Sequence, residues 1–348
     1  MEITSKKYPS VKGDITLYTL TNDAGAQVVL SSLGAGIVSA IVPDAAGNMA
    51  DVVLGYADPT DYYYDSPCAG KIPGRCANRI AFGLFSLDGK EYHLAVNNGP
   101  NALHGGPEGF QNQIWESEIT PENHVLFTYR AKDGEEGYPG NLTVRAEYSW
   151  NDLCELGLHI TAETDAPTLA NFTNHAYFNL GGENSGSVLG HELQLNAHLF
   201  LPTSDSLIPT GDLLSVKDTP MDFSSPHVLG ADIKADFPAL VYGKGYDNCW
   251  LLDGFNAGSL RRAATLTDPC SGRVLEVETT QPGVQIYTGN WLAGSPVSKS
   301  GRPYNDYDGV AIECQALPDS VNHPQFPSVV LRPGEEYDQT IIFRFTHK

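Results

Sequence analysis

Apolar and polar residues alternate with a period of two along most of the chain. Runs such as ITLYTL, HVLFTYRA, NLTVRAEYSW and RVLEVETT follow this period, and separators such as NDAG, LDGK and KDGEEG suit hairpins and tight turns. No segment sustains a 3.6-residue period beyond about two turns, and the only helical turn predicted lies near residues 59–65. The pattern predicts an all-β protein built as a large antiparallel β-sandwich. No low-complexity linker or clear internal repeat interrupts it, so we expect a single domain over residues 1–348.

Composition and charge narrow the class of protein. The chain has 35 glycines and 23 prolines, which disfavour long helices, and its 348 residues can bury a large core. Its net charge of -21 argues against nucleic acid and anionic membrane surfaces as partners. Six scattered cysteines without a CxxC pair are typical of reduced thiols, and no segment approaches the ~18 apolar residues of a membrane span. We therefore expect a cytoplasmic protein, and the oligomeric state, monomer or dimer, stays open.

The stretch TNHAYFNLGG, residues 173–182, is the first candidate for a functional strand. One parity of this stretch is mainly apolar, as on the buried face of a strand. The other parity carries a hydroxyl, an imidazole, a phenol and an amide, from Thr173, His175, Tyr177 and Asn179. A solvated strand face usually carries Lys, Glu, Thr or Ser, so this row suggests a different use.

Two further strands carry polar groups among apolar neighbours. In GVAIECQ, Glu313 shares one face with Ala311 and Gln315, and partial burial raises a carboxyl pKa towards the range of a general base. A solvent-facing strand glutamate is the common alternative. In GVQIYTGNW, Gln285 and Tyr287 share one face, and an exposed amide is the simpler interpretation of Gln285 alone.

Loops supply the remaining candidates. GRCANRI brings Asn78 and Arg79 together, with Arg75 interpreted as structural. NALHGG gives His104 followed by two glycines, which let a backbone approach a ligand closely. Asp247, in GYDNCW, lies beside aromatic residues, and a turn or strand-start aspartate is an equal possibility.

Together these residues indicate one kind of ligand. Phosphate loops, HExxH, GxSxG, and zinc or calcium patterns are absent from the sequence, so no metal or other cofactor is predicted. Many oriented donors and acceptors beside aromatic rings suit a neutral polyhydroxy compound. The residues alone therefore point to a sugar.

Several stretches resemble the aldose 1-epimerase (galactose mutarotase) family. They are NALHGG, DGEEGYPGNL, TNHAYFNLGG, TTQPGVQIYTGNW and LRPGEEYD, and the matches run in family order from GRCANRI to within a few residues of the end. The resemblance implies the family's large β-sandwich, a galactose mutarotase-like supersandwich, and no cofactor. It also implies an isomerase that interconverts the α and β anomers of free aldohexoses such as glucose and galactose.

The resemblance assigns roles to individual residues. The histidine of the family's NHxYFNL motif, the catalytic acid, falls on His175, and the glutamate in the strand before PDSVNHPQFP, the catalytic base, falls on Glu313. The family's substrate-binding positions fall on Asn78, Arg79, His104, Asp247 and Gln285. The row from Thr173 to Asn179 then forms the floor of an open cleft. A neighbouring carboxylate such as Glu313 or Asp247 is expected to keep His175 protonated.

One departure and two alternatives stay open. Many relatives have a histidine directly after the aspartate, where this chain has Asn248, which leaves the preferred sugar less defined. A non-catalytic sugar-binding or sensing protein on the same scaffold could lack the acid or the base. A glycoside hydrolase would use Glu313 and Asp247 as its carboxylate pair. The sequence does not rank glucose, galactose, xylose and arabinose as substrates.

Overall fold

The computed structural model describes residues 1–348, and β-strands dominate it. The first thirteen strands are β1 Glu2–Tyr8, β2 Ile15–Thr21, β3 Gln27–Ser31, β4 Gly36–Pro43, β5 Met49–Asp51, β6 Arg79–Ile80, β7 Leu84–Leu87, β8 Lys90–His93, β9 Ala102–Leu103, β10 Glu116–Ile119, β11 Val125–Ala131, β12 Leu142–Trp150 and β13 Glu155–Thr164. The others are β14 Thr168–Leu169, β15 Tyr177–Phe178, β16 Glu192–Leu195, β17 Leu199–Phe200, β18 Leu214–Ser215, β19 His227–Val228, β20 Asp247–Leu251, β21 Arg261–Thr267, β22 Arg273–Thr279, β23 Gly283–Tyr287, β24 Val310–Gln315, β25 Val330–Leu331 and β26 Tyr337–His347.

Helical segments are few and short. The α-helices are α1 Leu229–Asp232 and α2 Pro238–Gly243, and 3₁₀ turns lie at Pro59–Tyr62, Ala81–Gly83, Phe110–Asn112, Glu135–Gly137, Val188–Gly190 and Ser320–Asn322. The first of these 3₁₀ turns matches the helical turn predicted near residues 59–65. None of the helices has the length and apolarity to cross a membrane.

The strands form three large antiparallel sheets and three two-stranded ribbons. One sheet has the order β1-β2-β3-β4-β5, a second β10-β11-β12-β13-β26-β22-β21-β16-β19, and a third β15-β24-β23-β20-β17-β18. The ribbons are β14-β25, β6-β9 and β7-β8. In the nine-stranded sheet, β26 occupies the central position between β13 and β22. The predicted all-β antiparallel fold is confirmed.

The alternating sequence pattern explains how the sheets share a core. Burial alternates at every position of β12, as expected when one strand face is inside and the other outside. A cluster of 61 buried residues draws on all three large sheets. Phe178 of the six-stranded sheet meets Phe343 of the nine-stranded sheet with ring centroids 5.4 Å apart. We propose, on the strength of this shared core, that the chain forms one domain.

The stretch 173–182 differs in part from the expected strand. Only Tyr177 and Phe178 pair in a ladder, with Ala311 and Val310 of β24. The preceding residues are extended but bond to a neighbouring segment, where the Gly70 N–H donates to the His175 carbonyl oxygen and the His175 N–H donates to that of Lys71. Although the ladder is short, the alternation predicted from the sequence holds here, because Phe178 points into the core and Tyr177 lines the opposite face.

Candidate active site

Glu313 lies on β24, an interior strand of the six-stranded sheet next to the edge strand β15. Its strand β24 is bonded on one side to β15 and on the other to β23, where Glu313 pairs with Gln285. Ile312 and Cys314 point into the core, so Glu313 projects from the opposite face. The residue is only 2% exposed, and its Oε2 atom has no hydrogen-bond partner. A strand that is paired on both sides thus fixes a buried carboxyl group whose hydrogen-bonding capacity is incompletely used.

His175 lies against this carboxyl group. Its Nε2 is 3.5 Å from Oε1 of Glu313, and the two side chains are 5% and 2% exposed. The Nδ1 atom of His175 is buried without a partner. The ring packs beside Tyr177, with centroids 5.0 Å apart, and edge-on to His104, with centroids 5.2 Å apart. An acid–base pair is therefore formed by groups that are distant in sequence.

Burial acts on the two groups in opposite directions. It raises the pKa of Glu313 well above its ordinary value, and the charge of Asp247 adds to this effect while Arg79 opposes it. Burial lowers the pKa of His175 to about 4. The carboxylates Asp65 and Asp247 favour the imidazolium form but do not outweigh burial. The expectation that a carboxylate keeps His175 protonated is therefore wrong. At a pH between the two pKa values the pair holds one proton, and that proton rests on Glu313.

Asn78 and His104 hold each other in left-handed backbone conformations. Their φ angles are 64° and 53°. The Asn78 N–H donates to Nδ1 of His104 at 3.1 Å, and the His104 N–H donates to the Asn78 carbonyl oxygen at 3.0 Å. Because Nδ1 accepts a hydrogen bond, Nε2 of the neutral ring carries the proton and serves as a donor. Burial, reinforced by His175 and Arg79, lowers the pKa of His104 well below its ordinary value.

Arg79 and Asp247 belong to one hydrogen-bonded network. The Arg79 Nε donates to Oδ1 of Asn98 at 3.0 Å, and its Nη2 donates to Oδ2 of Asp247 at 3.4 Å. The Gln285 Nε2 donates to Oδ1 of Asp247 at 2.7 Å. Both charged groups thus reach the site already oriented, which lowers the entropy cost of holding a ligand.

Gln285 lies behind Asp247 and not on the wall of the cleft. It is 3% exposed, and its Oε1 has no partner. Its hydrogen bond to Asp247 indicates that Gln285 orients this carboxylate. The resemblance had instead implied direct contact between Gln285 and the sugar. Asn78 also has a local task, since its Oδ1 accepts from the Arg79 N–H at 2.8 Å. Asn248 is 1% exposed, and neither polar atom of its side chain has a partner.

The cleft around these residues has a volume of about 540 Å³. This volume is in the range of small-molecule sites. Of the predicted site residues, those on its wall are Asn78, Arg79, His104, His175, Asp247 and Glu313. Tyr177, Tyr287 and Trp291 add aromatic surface, and Trp291 is 59% exposed. The wall therefore combines oriented polar groups with apolar ring faces.

Two members of the predicted floor do not line the cleft. Thr173 is fully buried, and its hydroxyl has no partner. The Asn179 side chain donates to the carbonyl oxygens of Gly186 and Asp308, so it ties two loops together. Of the predicted row, only His175 and Tyr177 line the cleft.

The donor set favours proton transfer over metal binding. Ligand atoms of His104, His175 and Glu313 lie within 4.8 Å of one another. A metal needs a free lone pair on each imidazole, but Nδ1 of His104 accepts from Asn78 and its Nε2 is protonated. Metal binding through Nε2 would sacrifice that hydrogen bond. These groups therefore fit an acid–base site.

Sequence reasoning missed three residues beside the site. Asn98 holds Arg79, and Asp65 and Lys71 form a buried ion pair next to the segment bonded to His175. Lys71 carries the one available signal, a lysine among the small and apolar residues of CAGKIPG. Asn98 and Asp65 lie in polar loops, where nothing in the sequence distinguishes them.

Comparisons with known proteins agree with this geometry. The family model described as aldose 1-epimerase matches residues 16–344. The chain is 43% identical to a galactose mutarotase of Bos taurus, covering 97% of this chain and 96% of that protein. It is 39% identical to an aldose 1-epimerase of Escherichia coli (strain K12), covering 94% of each. A solved aldose epimerase homologue from C. elegans superimposes with a TM-score of 0.86, at 31% identity and 99% coverage of both chains.

Proposed function

The chain belongs to the aldose 1-epimerase family, and we propose that His175 and Glu313 interconvert the α and β anomers of free aldohexoses such as glucose and galactose. The observation that carries this proposal is the 3.5 Å approach of His175 Nε2 to Glu313 Oε1 at the base of the cleft. The two groups share one proton, and anomerisation needs one group that gives a proton and one that takes a proton. The protein is thus an isomerase that needs neither hydride nor phosphate chemistry.

Ring opening uses the pair with its proton on His175. Glu313 takes the proton of the C1 hydroxyl, and the oxygen becomes the carbonyl of the open aldehyde. The C1–O5 bond breaks with its electron pair going to O5, which receives the proton of His175. After rotation about C1–C2, the O5 hydroxyl attacks the other face of C1, and both protons return. The pair regains its starting state without a cofactor.

Burial of the pair supports this cycle. The resting proton is on Glu313, because burial disfavours both charges. Hydrogen bonds to the sugar's C1 hydroxyl and ring oxygen favour the separated form, with Glu313 negative and His175 positive. The charged forms of Glu313 and His175 then arise only when the sugar is bound. The bound sugar takes the place of water around the two charges, which limits their solvation.

The other polar groups hold the ring while C1 turns. Arg79 and Asp247 present a guanidinium and a carboxylate that are already braced by neighbouring amides. The Nε2–H of His104 is a fixed donor. The rings of Tyr177 and Tyr287 offer surface to the apolar face of a sugar. We assign these five residues, with Asn78, to orientation of the substrate.

Polarimetry tests the proposal. Freshly dissolved α-D-glucose and α-D-galactose are followed with wild type, His175→Asn and Glu313→Gln. Each variant is expected to lose about 10²–10⁴-fold in the proton-transfer contribution, with its fold intact by circular dichroism. Rates near wild type in both variants would remove these residues from the mechanism. Release of nitrophenol from nitrophenyl glycosides by wild type would instead favour a hydrolase.

We also propose that the protein is cytoplasmic. We propose that its binding partner is a monosaccharide substrate, and not nucleic acid or a membrane. All six cysteines are unpaired, which suits a reducing compartment. The net charge of -21 suits neither nucleic acid nor an anionic membrane surface. Fractionation with thiol labelling in the native host checks the location.

A further inference from the structure

A second pair of charges is buried beside the acid–base pair. The Lys71 ammonium contacts the Asp65 carboxylate, and the two side chains are 1% and 0% exposed. Removing two charges from water is costly, and a buried ion pair is often no more stable than apolar residues of similar size. A contribution to the stability of the fold therefore does not by itself explain why this pair is buried here.

Its hydrogen-bonding capacity is used within the protein. Besides Asp65, the Lys71 ammonium donates to the Tyr62 carbonyl oxygen and, at 3.3 Å, to Oδ1 of Asn112. Oδ2 of Asp65 accepts from the Tyr56 hydroxyl at 3.0 Å and from the Ala69 N–H at 2.8 Å. The pair is saturated by these contacts, so direct sugar binding is not its task.

The pair anchors the segment that holds His175. The Gly70 N–H donates to the His175 carbonyl oxygen at 3.0 Å, and the His175 N–H donates to the Lys71 carbonyl oxygen at 2.9 Å. The segment is tightly turned, with Gly70 at a φ of 73°, where a methyl group would lie 1.9 Å from the Ile37 carbonyl oxygen. Lys71 thus bonds to His175 through its backbone and to the protein interior through its side chain.

The pair also acts on the imidazole through its charges. Asp65 favours the protonated form of His175 more strongly than Lys71 opposes it, so the negative end of the pair dominates. This compensates in part for burial, which lowers the pKa of His175. The other ionisable or charged groups around His175 are His104, Glu313, Asp247, Arg79, Tyr177 and Tyr287. Of these, only Asp247 and Glu313 are carboxyl groups.

We propose that Lys71 and Asp65 are positioning residues for His175, which fix its backbone and present a net negative field to its ring. The inference rests on the proposed role of His175 as the acid. Asp65 lies at the wall of the cleft, but both side chains are buried and their polar atoms are bonded within the protein, so we expect both to act on the rate through His175.

The test is the double variant Lys71→Met/Asp65→Asn, which removes both charges at once. We expect kcat to fall about tenfold with KM within about threefold, because a tenfold loss corresponds to about one unit in the protonation equilibrium of the acid. The acidic limb of the pH–rate profile should move to lower pH. A variant with a lower Tm but unchanged kcat and pH profile would make the pair merely structural and overturn the inference.

A matched control is available in the same chain. Lys299 bonds Asp51 and the carbonyl oxygens of Val38 and Val53, outside the cleft. Lys299→Met/Asp51→Asn should lower Tm while kcat and the pH profile stay at wild type. Equal losses of kcat in both double variants would show a general stability effect and contradict the inference. If Lys71→Met/Asp65→Asn does not fold, Asp65→Asn alone is judged by the same criteria.

An NMR titration separates this inference from the proposed function. In ¹⁵N-histidine-labelled protein, the His175 midpoint should be lower in the double variant than in wild type, whether or not the protein turns over a sugar. A wild type without mutarotase activity would defeat the proposed function, and an unmoved His175 midpoint would defeat the positioning role.

Discussion

Replacing Glu313 with glutamine should remove the base and make the protein more stable at pH 8. Glu313 is 2% exposed, and its Oε2 has no partner. Burial raises its pKa well above the ordinary value, so the folded protein binds this proton more tightly than the unfolded chain does. The group's contribution to stability is therefore greatest below the unfolded pKa and is lost as pH rises towards the folded pKa. Glutamine does not titrate, so Glu313→Gln escapes this loss.

The size of the effect follows from the isolation of the carboxylate. A buried polar group without a partner costs about 1–3 kcal/mol, and more when it is charged. With an unfolding entropy of about 2.1 cal/mol/K per residue, this gain corresponds to an increase of about 1–4 °C in Tm for a chain of this length. At pH 4.5, where the carboxyl group is protonated in the folded protein and about half protonated in the unfolded chain, the increase should be much smaller.

Calorimetry at pH 8 and pH 4.5, with polarimetry on the same samples, measures both effects. The control is Glu118→Gln on the exposed edge strand β10, which should change stability by no more than about 0.5 kcal/mol. An equal or lower Tm for Glu313→Gln at pH 8, with the control unchanged, would refute the reasoning. It would mean that the carboxylate is well solvated or paired in the folded protein.

Three further outcomes are expected. The wild-type pH–rate profile should be a bell. Its acidic limb should lie near pH 4, where His175 gains a proton while Glu313 still holds one, and its basic limb should lie well above the ordinary glutamate pKa. A rate that rises steadily from pH 5 to pH 10 would contradict this prediction. Asn98→Ala should raise KM about three- to tenfold with a smaller change in kcat, because Arg79 loses an acceptor at 3.0 Å, and an unchanged KM would show that Arg79 is held by other contacts. Prolonged dialysis against EDTA should leave the rate unchanged, because a metal on Nε2 of His104 would cost the ring its hydrogen bond from the Asn78 N–H; a loss restored by Zn²⁺ would reverse that conclusion.

The sequence predicts the fold well because one physical pattern governs most of the chain. A period of two specifies strands with one buried face, and the turn residues between them specify antiparallel connections. The same pattern predicted that Glu313 would project opposite Ile312 and Cys314, and the structure agrees. A local sequence pattern is sufficient to predict which face of a strand a residue occupies, because that depends only on its neighbours along the same strand.

The rest of the site depends on contacts between distant segments, which a local pattern cannot contain. Asn179 looked like a member of the cleft floor but bonds to loops at 186 and 308. Gln285 supports Asp247 because the diagonal between β23 and β20 brings them together. The protonation of His175 differs from the prediction because the depth of burial, which the sequence does not reveal, lowers its pKa more than the nearby carboxylates raise it.

The central position of β26 has a consequence for the order of folding. Strand β26 follows both β13 and β22 in the chain, so it leaves the ribosome after them, yet it bonds β13 on one side and β22 on the other. Until β26 inserts, the nine-stranded sheet is two separate pieces, and each piece ends in a long unpaired edge that can recruit another chain. A nascent or truncated chain that stops before residue 337 is thus expected to aggregate, and enzymatic activity should return late during refolding, because Glu313 is secured only when both sheets close over the shared core.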